Sequence, residues 1–171
     1  MQNYFELFDL KTSFFVDDEA LKKAYQAQVI RFHPDNFATK SQAEQLQALQ
    51  NTSLVNSAYT ALKTPLNRAS YLLNLEDVNP FDEKDTNMDA NFLVSQIELR
   101  EQLEGIKEQQ DSLALDEFIE RVQDFIRDNV ASISEAFMQS KDLQEIKTLV
   151  RELKFYDQLN KEANILMDEW L

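Results

Sequence analysis

The scarcity of glycine and proline is the feature that most constrains the fold of this chain. One Gly and three Pro occur in 171 residues, too few to supply the turns of a many-stranded sheet. Leu, Ala, Gln, Glu and Lys, which favour helices, are abundant. Because 43% of the residues are apolar, the chain can also fill a substantial core. The sequence therefore predicts an all-α protein of one domain or two small ones.

Several classes of protein are excluded by what the chain lacks. It contains no Cys, which excludes a disulfide scaffold and a cysteine-ligated zinc module. No apolar run approaches the roughly 20 residues of a membrane-spanning helix, and the first residues lack the basic start of a signal or transit peptide. We therefore expect a cytoplasmic protein without a membrane partner. The single His has no Cys or second His beside it, so we expect no catalytic residues, metal ligands or cofactor.

The net charge of −14 belongs entirely to the second half of the chain. Residues 1–75 contain seven basic and seven acidic side chains, whereas residues 76–171 contain ten and twenty-four. This division suggests two units with different partners. For the acidic half taken alone, a surface that only keeps the protein soluble is an equally good interpretation. Neither half has the broad basic face of a nucleic-acid-binding protein.

The first half contains the tripeptide His33-Pro34-Asp35, which includes the only His of the chain. It follows a predicted helix over residues 17–32. Asp17 has the position of the N-cap of this helix. Because Pro34 disfavours helical dihedral angles at the residue before it, the helix should end there and leave the tripeptide in a loop. The polar face of the helix carries three cations, Lys22, Lys23 and Arg31. Such a face would speed association with an acidic partner in a salt-dependent way.

Two further helices are predicted to follow this loop. Ser41 and Glu44 have the spacing of a capping box at the start of a long helix. Thr64 and Pro65 then begin a shorter helix that ends near Leu75. The long helix should pair antiparallel with the helix before the loop, so that the loop projects from one end of the pair. Its expected buried stripe is Leu46, Leu49, Leu54, Val55, Ala58, Tyr59 and Leu62.

The second half is predicted to be a three-helix bundle after a polar linker over residues 76–87. Its helices should cover residues 88–110, 112–138 and 141–170. In the first of them one face is an ordinary core stripe, formed by Phe92, Leu99, Leu103 and Ile106.

A second apolar face of that helix contains Leu93, Val94 and Ile97, interleaved with Glu98 and Glu101. One interpretation is a broad core face from which Leu93 or Val94 reaches the neighbouring unit. The other is an exposed apolar patch with an acidic rim, which is the composition of a transient protein-binding site. Phe155, at the edge of the apolar stripe of the third helix, is placed to complete such a patch.

These motifs together resemble a known family. Tyr25, Phe32 and the His33-Pro34-Asp35 loop between its helices resemble a J-domain, the module that docks onto seventy-kilodalton heat-shock chaperones. Other segments are similar to the HscB family of iron–sulfur co-chaperones, and the similarity covers essentially the full length. These segments are Phe37-Ala38, residues 41–46, Thr64-Pro65-Leu66, Arg68-Ala69, residues 71–73, Phe92-Leu93, residues 98–101 and residues 151–155.

The resemblance implies a mechanism. A J-domain over residues 1–75 would engage a DnaK-family chaperone of the HscA type and accelerate its ATP hydrolysis, using the tripeptide with Lys22, Lys23 and Arg31. A bundle over residues 88–171 would carry the iron–sulfur scaffold protein IscU, so that a cluster is released to an acceptor. The scaffold-binding positions implied by the family are Leu93, Val94, Ile97, Glu98, Arg100, Glu101 and Phe155.

The family also implies an L-shaped monomer that is not itself an enzyme. Asn36 stands where a Lys often follows the tripeptide, which removes one positive charge from the docking surface. Two alternatives remain open from the sequence. One is a J-domain co-chaperone for a different client protein, and the other is a helical adaptor in which the tripeptide is accidental.

Overall fold

Seven α-helices form the regular structure of this computed structural model, which describes residues 3–85 and 88–171. The chain divides into two units, Met1–Leu75 and Glu76–Leu171. No strand occurs in the described residues, and the predicted all-α class is confirmed. The helices are α1 (Tyr4–Leu7), α2 (Asp18–Arg31), α3 (Gln42–Lys63), α4 (Pro65–Leu75), α5 (Ala90–Gln109), α6 (Ser112–Met138) and α7 (Leu143–Trp170).

Side-chain caps fix the helix starts in the first unit. Asp17 Oδ1 accepts a hydrogen bond from the amide of Glu19 at 3.0 Å, and Ser41 Oγ accepts one from the amide of Glu44 at 3.2 Å. These bonds satisfy amides that the first turn of a helix leaves unpaired. Asp17 and Ser41 are therefore confirmed as N-caps, and of the capping box predicted at Ser41 and Glu44 the structure shows the bond to the Ser41 side chain.

The core of the first unit joins α1, α2, α3 and α4. Tyr25 of α2 stacks on Tyr59 of α3 with ring centroids 4.1 Å apart, and its hydroxyl donates to Asn56 Oδ1 at 2.7 Å. This contact ties the predicted antiparallel pair together near its middle. The buried cluster beneath it consists of Phe5, Phe8, Leu21, Val55, Ala58 and Leu62.

The predicted buried stripe of α3 is partly wrong. Leu46, Leu49 and Leu54 are 57%, 58% and 45% exposed. The face toward α2 begins instead at Ala48 and continues through Thr52, whose hydroxyl lies 3.1 Å from the carbonyl oxygen of Phe32. Ala48, Thr52, Val55, Tyr59 and Leu62 follow one another at intervals of four and three residues and so share one face of α3. Leu46, Leu49 and Leu54 lie off that face and are therefore exposed.

The second unit is a bundle in which α6 and α7 pack along their length and α5 packs against both. The three predicted helices are confirmed. Asp89 caps α5 and Asp142 caps α7, so both helices begin two residues later than predicted. The buried cluster at its centre includes Leu99, Leu103, Leu115, Phe118, Val122, Leu159 and Ala163.

The described part of the predicted linker packs on α7 within the second unit. Asp85 forms an ion pair with Lys147 and accepts a hydrogen bond from Arg151 Nη1 at its carbonyl oxygen, at 2.9 Å. Lys154 Nζ lies 4.1 Å from the ring centroid of Phe81. Residues 81–85 are therefore held against the bundle by three cations of one helix.

One buried polar pair crosses the bundle between α6 and α7. Asn129 is 7% exposed, and its Nδ2 lies 3.5 Å from Glu152 Oε2. Within the described residues, Asn129 Oδ1 accepts no hydrogen bond. Burial, reinforced by the nearby Asp89 carboxylate, raises the pKa of Glu152. An ionised carboxylate at this place therefore disfavours the folded state.

We expect Glu152→Gln to raise the midpoint of thermal unfolding at neutral pH. The pKa of Glu152 in the folded state is raised above its ordinary 4.5. The protonated side chain therefore stabilises the folded wild type at pH values below the pKa of the unfolded state, and this contribution is lost as the pH rises through the folded-state pKa. The glutamine keeps an oxygen for Asn129 and adds an amide donor. Unfolding should be followed by circular dichroism at pH 7 and below pH 4.5. A gain at neutral pH that persists unchanged in acid would contradict this assignment.

Candidate protein-binding surfaces

The His33-Pro34-Asp35 tripeptide is a defined turn. Its proline starts a short 3-10 helix, Pro34–Phe37, for which His33 is the N-cap. His33 Nδ1 accepts a hydrogen bond from the amide of Asp35 at 3.2 Å, so the proton of the neutral imidazole lies on Nε2. The predicted loop therefore contains a turn of helix. The side chain of Asp35 is 91% exposed and that of His33 is 52% exposed.

Hydrogen bonds hold this turn at both ends. Asn36 Nδ2 donates to the carbonyl oxygen of Ile30, at the end of α2, at 2.7 Å. Gln45 Nε2 of α3 donates to the carbonyl oxygens of Ala38 and Lys40 at 3.3 and 3.2 Å. In the sequence Asn36 stands out only because it lacks a charge. In the structure it joins the turn to the end of α2. The turn presents His33 and Asp35 on an ordered backbone.

The outward face of α2 carries the three predicted cations. Lys22, Lys23 and Arg31 are all exposed, and the Arg31 guanidinium lies 5.1 Å from the centroid of the Phe32 ring. Sequence reasoning missed Ile30, which is 69% exposed on this face. The sequence did contain a signal for it: Ile30 comes one residue after a position on the buried face of α2, so its side chain points away from that face. A basic surface with an apolar centre adjoins the turn.

The second predicted surface lies on α5. Leu93, Val94 and Ile97 are 42%, 53% and 59% exposed, and we call them the bundle patch. Glu98 and Glu101, next to them on the helix, are exposed as well. The core of the bundle takes the other face of α5, through Phe92, Leu99 and Leu103. Of the two interpretations of this apolar face, exposure favours the patch with an acidic rim.

Phe155 and Arg100 join the bundle patch to α7. The Phe155 ring is half-buried and packs edge-on against Phe92, with centroids 5.8 Å apart and an interplanar angle of 87°. The Arg100 guanidinium lies 5.5 Å from the Phe155 centroid and forms an ion pair with Glu162. All seven predicted scaffold-binding residues are thus at least partly accessible. Arg100 thus contacts an aromatic ring and a carboxylate of α7.

Two kinds of site are missing from the described part of the chain. No group of three or more His, Cys, Asp or Glu side chains is arranged there to hold a metal ion. No helix in residues 3–85 or 88–171 is long and apolar enough to cross a membrane.

Comparisons with known proteins agree with this arrangement. Residues 3–71 match the family model described as DnaJ domain, and residues 88–164 match the one described as HSCB C-terminal oligomerisation domain. The chain is 37% identical over 165 residues to the Co-chaperone protein HscB homolog of Photobacterium profundum, covering 96% of each protein. The chain belongs to the HscB family of co-chaperones.

Two further matches span nearly the whole chain. The HscB homolog of Aliivibrio salmonicida is 38% identical over 170 residues, which is 99% of each protein. The solved structure of chaperone HscB from Vibrio cholerae has a TM-score of 0.88 and 38% identity, and the match covers 99% of this chain and 100% of that one. The resemblance predicted from the sequence is confirmed. The first unit is a J-domain and the second is the C-terminal helical domain of the family.

We expect Asn36→Ala to loosen the turn that carries His33 and Asp35. Loss of one hydrogen bond to the Ile30 carbonyl should lower the free energy of unfolding by about 0.5–1.5 kcal/mol. Amide hydrogen exchange across residues 33–37 should become faster. Asn36→Asp keeps the size of the side chain, removes the donor and sets a carboxylate against the Ile30 carbonyl, so it should loosen the turn at least as much as the alanine variant. Unchanged exchange in both variants would contradict this role of Asn36.

Proposed function

We propose that this chain stimulates the ATPase of a DnaK-family chaperone of the HscA type and delivers the iron–sulfur scaffold protein IscU to it. Cluster transfer during iron–sulfur protein maturation would follow. The observation that supports this most is the presence in one chain of an ordered His33-Pro34-Asp35 turn beside a basic helix and of a separate acidic bundle with an exposed apolar patch. The proposed division is a J-domain over residues 1–75, a linker over 76–87 and a scaffold-binding bundle over 88–171.

On the chaperone side, the turn and the α2 face act together. The exposed Asp35 carboxylate is available to a cationic side chain of the chaperone, and Lys22, Lys23 and Arg31 to acidic ones. Ile30 adds an apolar contact between the charged groups. Because the backbone of the turn is already hydrogen-bonded, docking orders few residues and loses little entropy. The chaperone therefore meets a surface that is shaped before it binds.

On the scaffold side, the bundle patch supplies the apolar centre of an interface. Leu93, Val94 and Ile97 would be covered by the scaffold protein, while Glu98, Arg100 and Glu101 form a polar rim that selects the orientation. Phe155 supports the centre through its edge contact with Phe92.

In this proposal the chain has two units because it binds two partners at the same time, one on each unit. When the scaffold protein and the chaperone bind the same molecule, the second encounter becomes intramolecular and its effective concentration rises. In this proposal the chain acts as a monomer in the cytoplasm, catalyses no reaction itself and needs no cofactor. ATP hydrolysis belongs to the chaperone.

We expect His33→Gln to abolish stimulation of the chaperone ATPase and to leave folding and scaffold binding unchanged. The hydrogen bonds from Asn36 and Gln45 still hold the backbone of the turn when the imidazole is lost. Single-turnover ATP hydrolysis by purified HscA, with and without IscU, measures the effect. A variant that stimulates as well as the wild type would favour the helical-adaptor alternative.

We expect Leu93→Ala combined with Ile97→Ala to weaken binding of IscU at least tenfold, about 1.4 kcal/mol. Both residues are exposed, so the unfolding transition should stay cooperative and its midpoint nearly constant. The matched control is Leu113→Ala with Met138→Ala, two apolar residues that are 69% and 70% exposed outside the patch. Isothermal titration calorimetry gives the affinities. A wild-type chain that does not bind IscU would favour a J-domain co-chaperone with another client.

A further inference from the structure

A cleft between α5 and α7 continues the bundle patch toward the end of the bundle. It has a volume of about 270 Å³. Its floor contains the buried Leu103 and the partly buried Leu166, and Ile165 at its edge is 59% exposed. Exposed carboxylates also line it, namely Glu104, Glu162 and Glu169. Neither the sequence pattern nor the proposed scaffold-binding positions include Ile165.

The cleft and the bundle patch both lie along the line where α5 contacts α7, which we call the seam. Phe92 packs on Phe155 at the start of α5, Arg100 pairs with Glu162 further along, and Leu103 and Leu166 share the cleft. The two helices therefore run in parallel with a constant register. From Leu93 to Lys107, 14 residues of helix span about 21 Å. We call this surface the seam strip: the bundle patch, Phe155, and the cleft with Ile165.

Charge along the seam strip points to a basic occupant. Glu98 and Glu101 flank the bundle patch, and three carboxylates line the cleft. Arg100 is already paired with Glu162, and Lys107 is the cation that lines the cleft. A second copy of this chain would bring glutamates against glutamates, because a two-fold contact uses the same surface on both molecules. Like charges facing each other disfavour that contact.

We propose that the seam strip binds a basic amphipathic helix of about four turns from the scaffold protein. This inference rests on the proposed function, which takes the scaffold protein as the partner of the bundle. The apolar side of the helix covers Leu93, Ile97 and Ile165, and its Lys or Arg side chains pair with Glu104 and Glu169. The strip is about 21 Å long, follows two parallel helices and ends in the cleft at Ile165, so a helix lying along it can contact both the bundle patch and the cleft.

The first test measures IscU binding to variants at the far end of the strip. Ile165→Ala should weaken binding about fivefold to tenfold with no change in the unfolding midpoint, because the side chain is 59% exposed. Glu104→Gln with Glu169→Gln should weaken binding at low salt and reduce its dependence on salt concentration. Leu113→Ala is the control, since it removes an equally apolar, 69% exposed residue outside the strip.

The second test locates the partner segment directly. Because the chain has no cysteine, Ile165→Cys can be labelled with a photo-crosslinker at that position alone before IscU is added. Mass spectrometry of the cross-linked product should place the label in a Lys- or Arg-rich helical segment of IscU. The same label on Leu113→Cys should not reach that segment.

The outcomes separate this inference from the proposed function. If Leu93→Ala with Ile97→Ala weakens binding while Ile165→Ala and the glutamine pair do not, the strip ends at the bundle patch and the inference fails alone. If the wild type does not bind IscU, both fail. A concentration-dependent dimer in sedimentation velocity that Ile165→Ala dissociates would make the seam a contact between two copies and overturn the inference.

Discussion

The close contact between α2 and α3 is the interaction on which the first surface depends. The Tyr25–Tyr59 stack and the hydrogen bond from the Thr52 hydroxyl to the Phe32 carbonyl join the two helices, and the residues between them must then turn within a short distance. Pro34 limits the conformations of that turn, and Asn36 and Gln45 satisfy its carbonyl groups. Without this contact, His33 and Asp35 would lie on a mobile connector whose ordering would weaken every encounter with a partner.

The second unit keeps apolar side chains exposed at the surface of a stable bundle. A helix needs only one buried stripe, and α5 provides it through Phe92, Leu99 and Leu103. The bundle can then tolerate Leu93, Val94 and Ile97 in solvent because α6 and α7 bury most of the core between them. Glu98 and Glu101 give the edge of the patch a single sign of charge, which favours contact with a surface of the opposite sign.

Local signals in the sequence predicted most of the fold, and long-range packing accounts for what they missed. The caps at Asp17 and Ser41 and the stop before Pro34 depend on residues a few positions apart, so a single sequence contains them. Leu46 and Leu49 were misassigned because two overlapping stripes run along α3, and the one that packs begins with the small side chains of Ala48 and Thr52, which carry little apolar signal. Ile30 and Ile165 were missed for another reason. An exposed apolar residue is recognised as part of a surface only when its neighbours from other turns or helices are known.

The division of charge between the two units has a physical consequence for how partners are distinguished. A neutral first unit with a local basic face attracts an acidic surface, and a second unit that carries the whole net charge of −14 attracts a basic one. In the proposed function, a partner that suits one surface would be repelled by the other, so the charge of each surface would discriminate against the wrong partner. Arg100 lies beside the Phe155 ring and pairs with Glu162 of the same bundle. Its charge is therefore already matched within the bundle, and the exposed glutamates around the bundle patch set the sign of the charge that a partner meets.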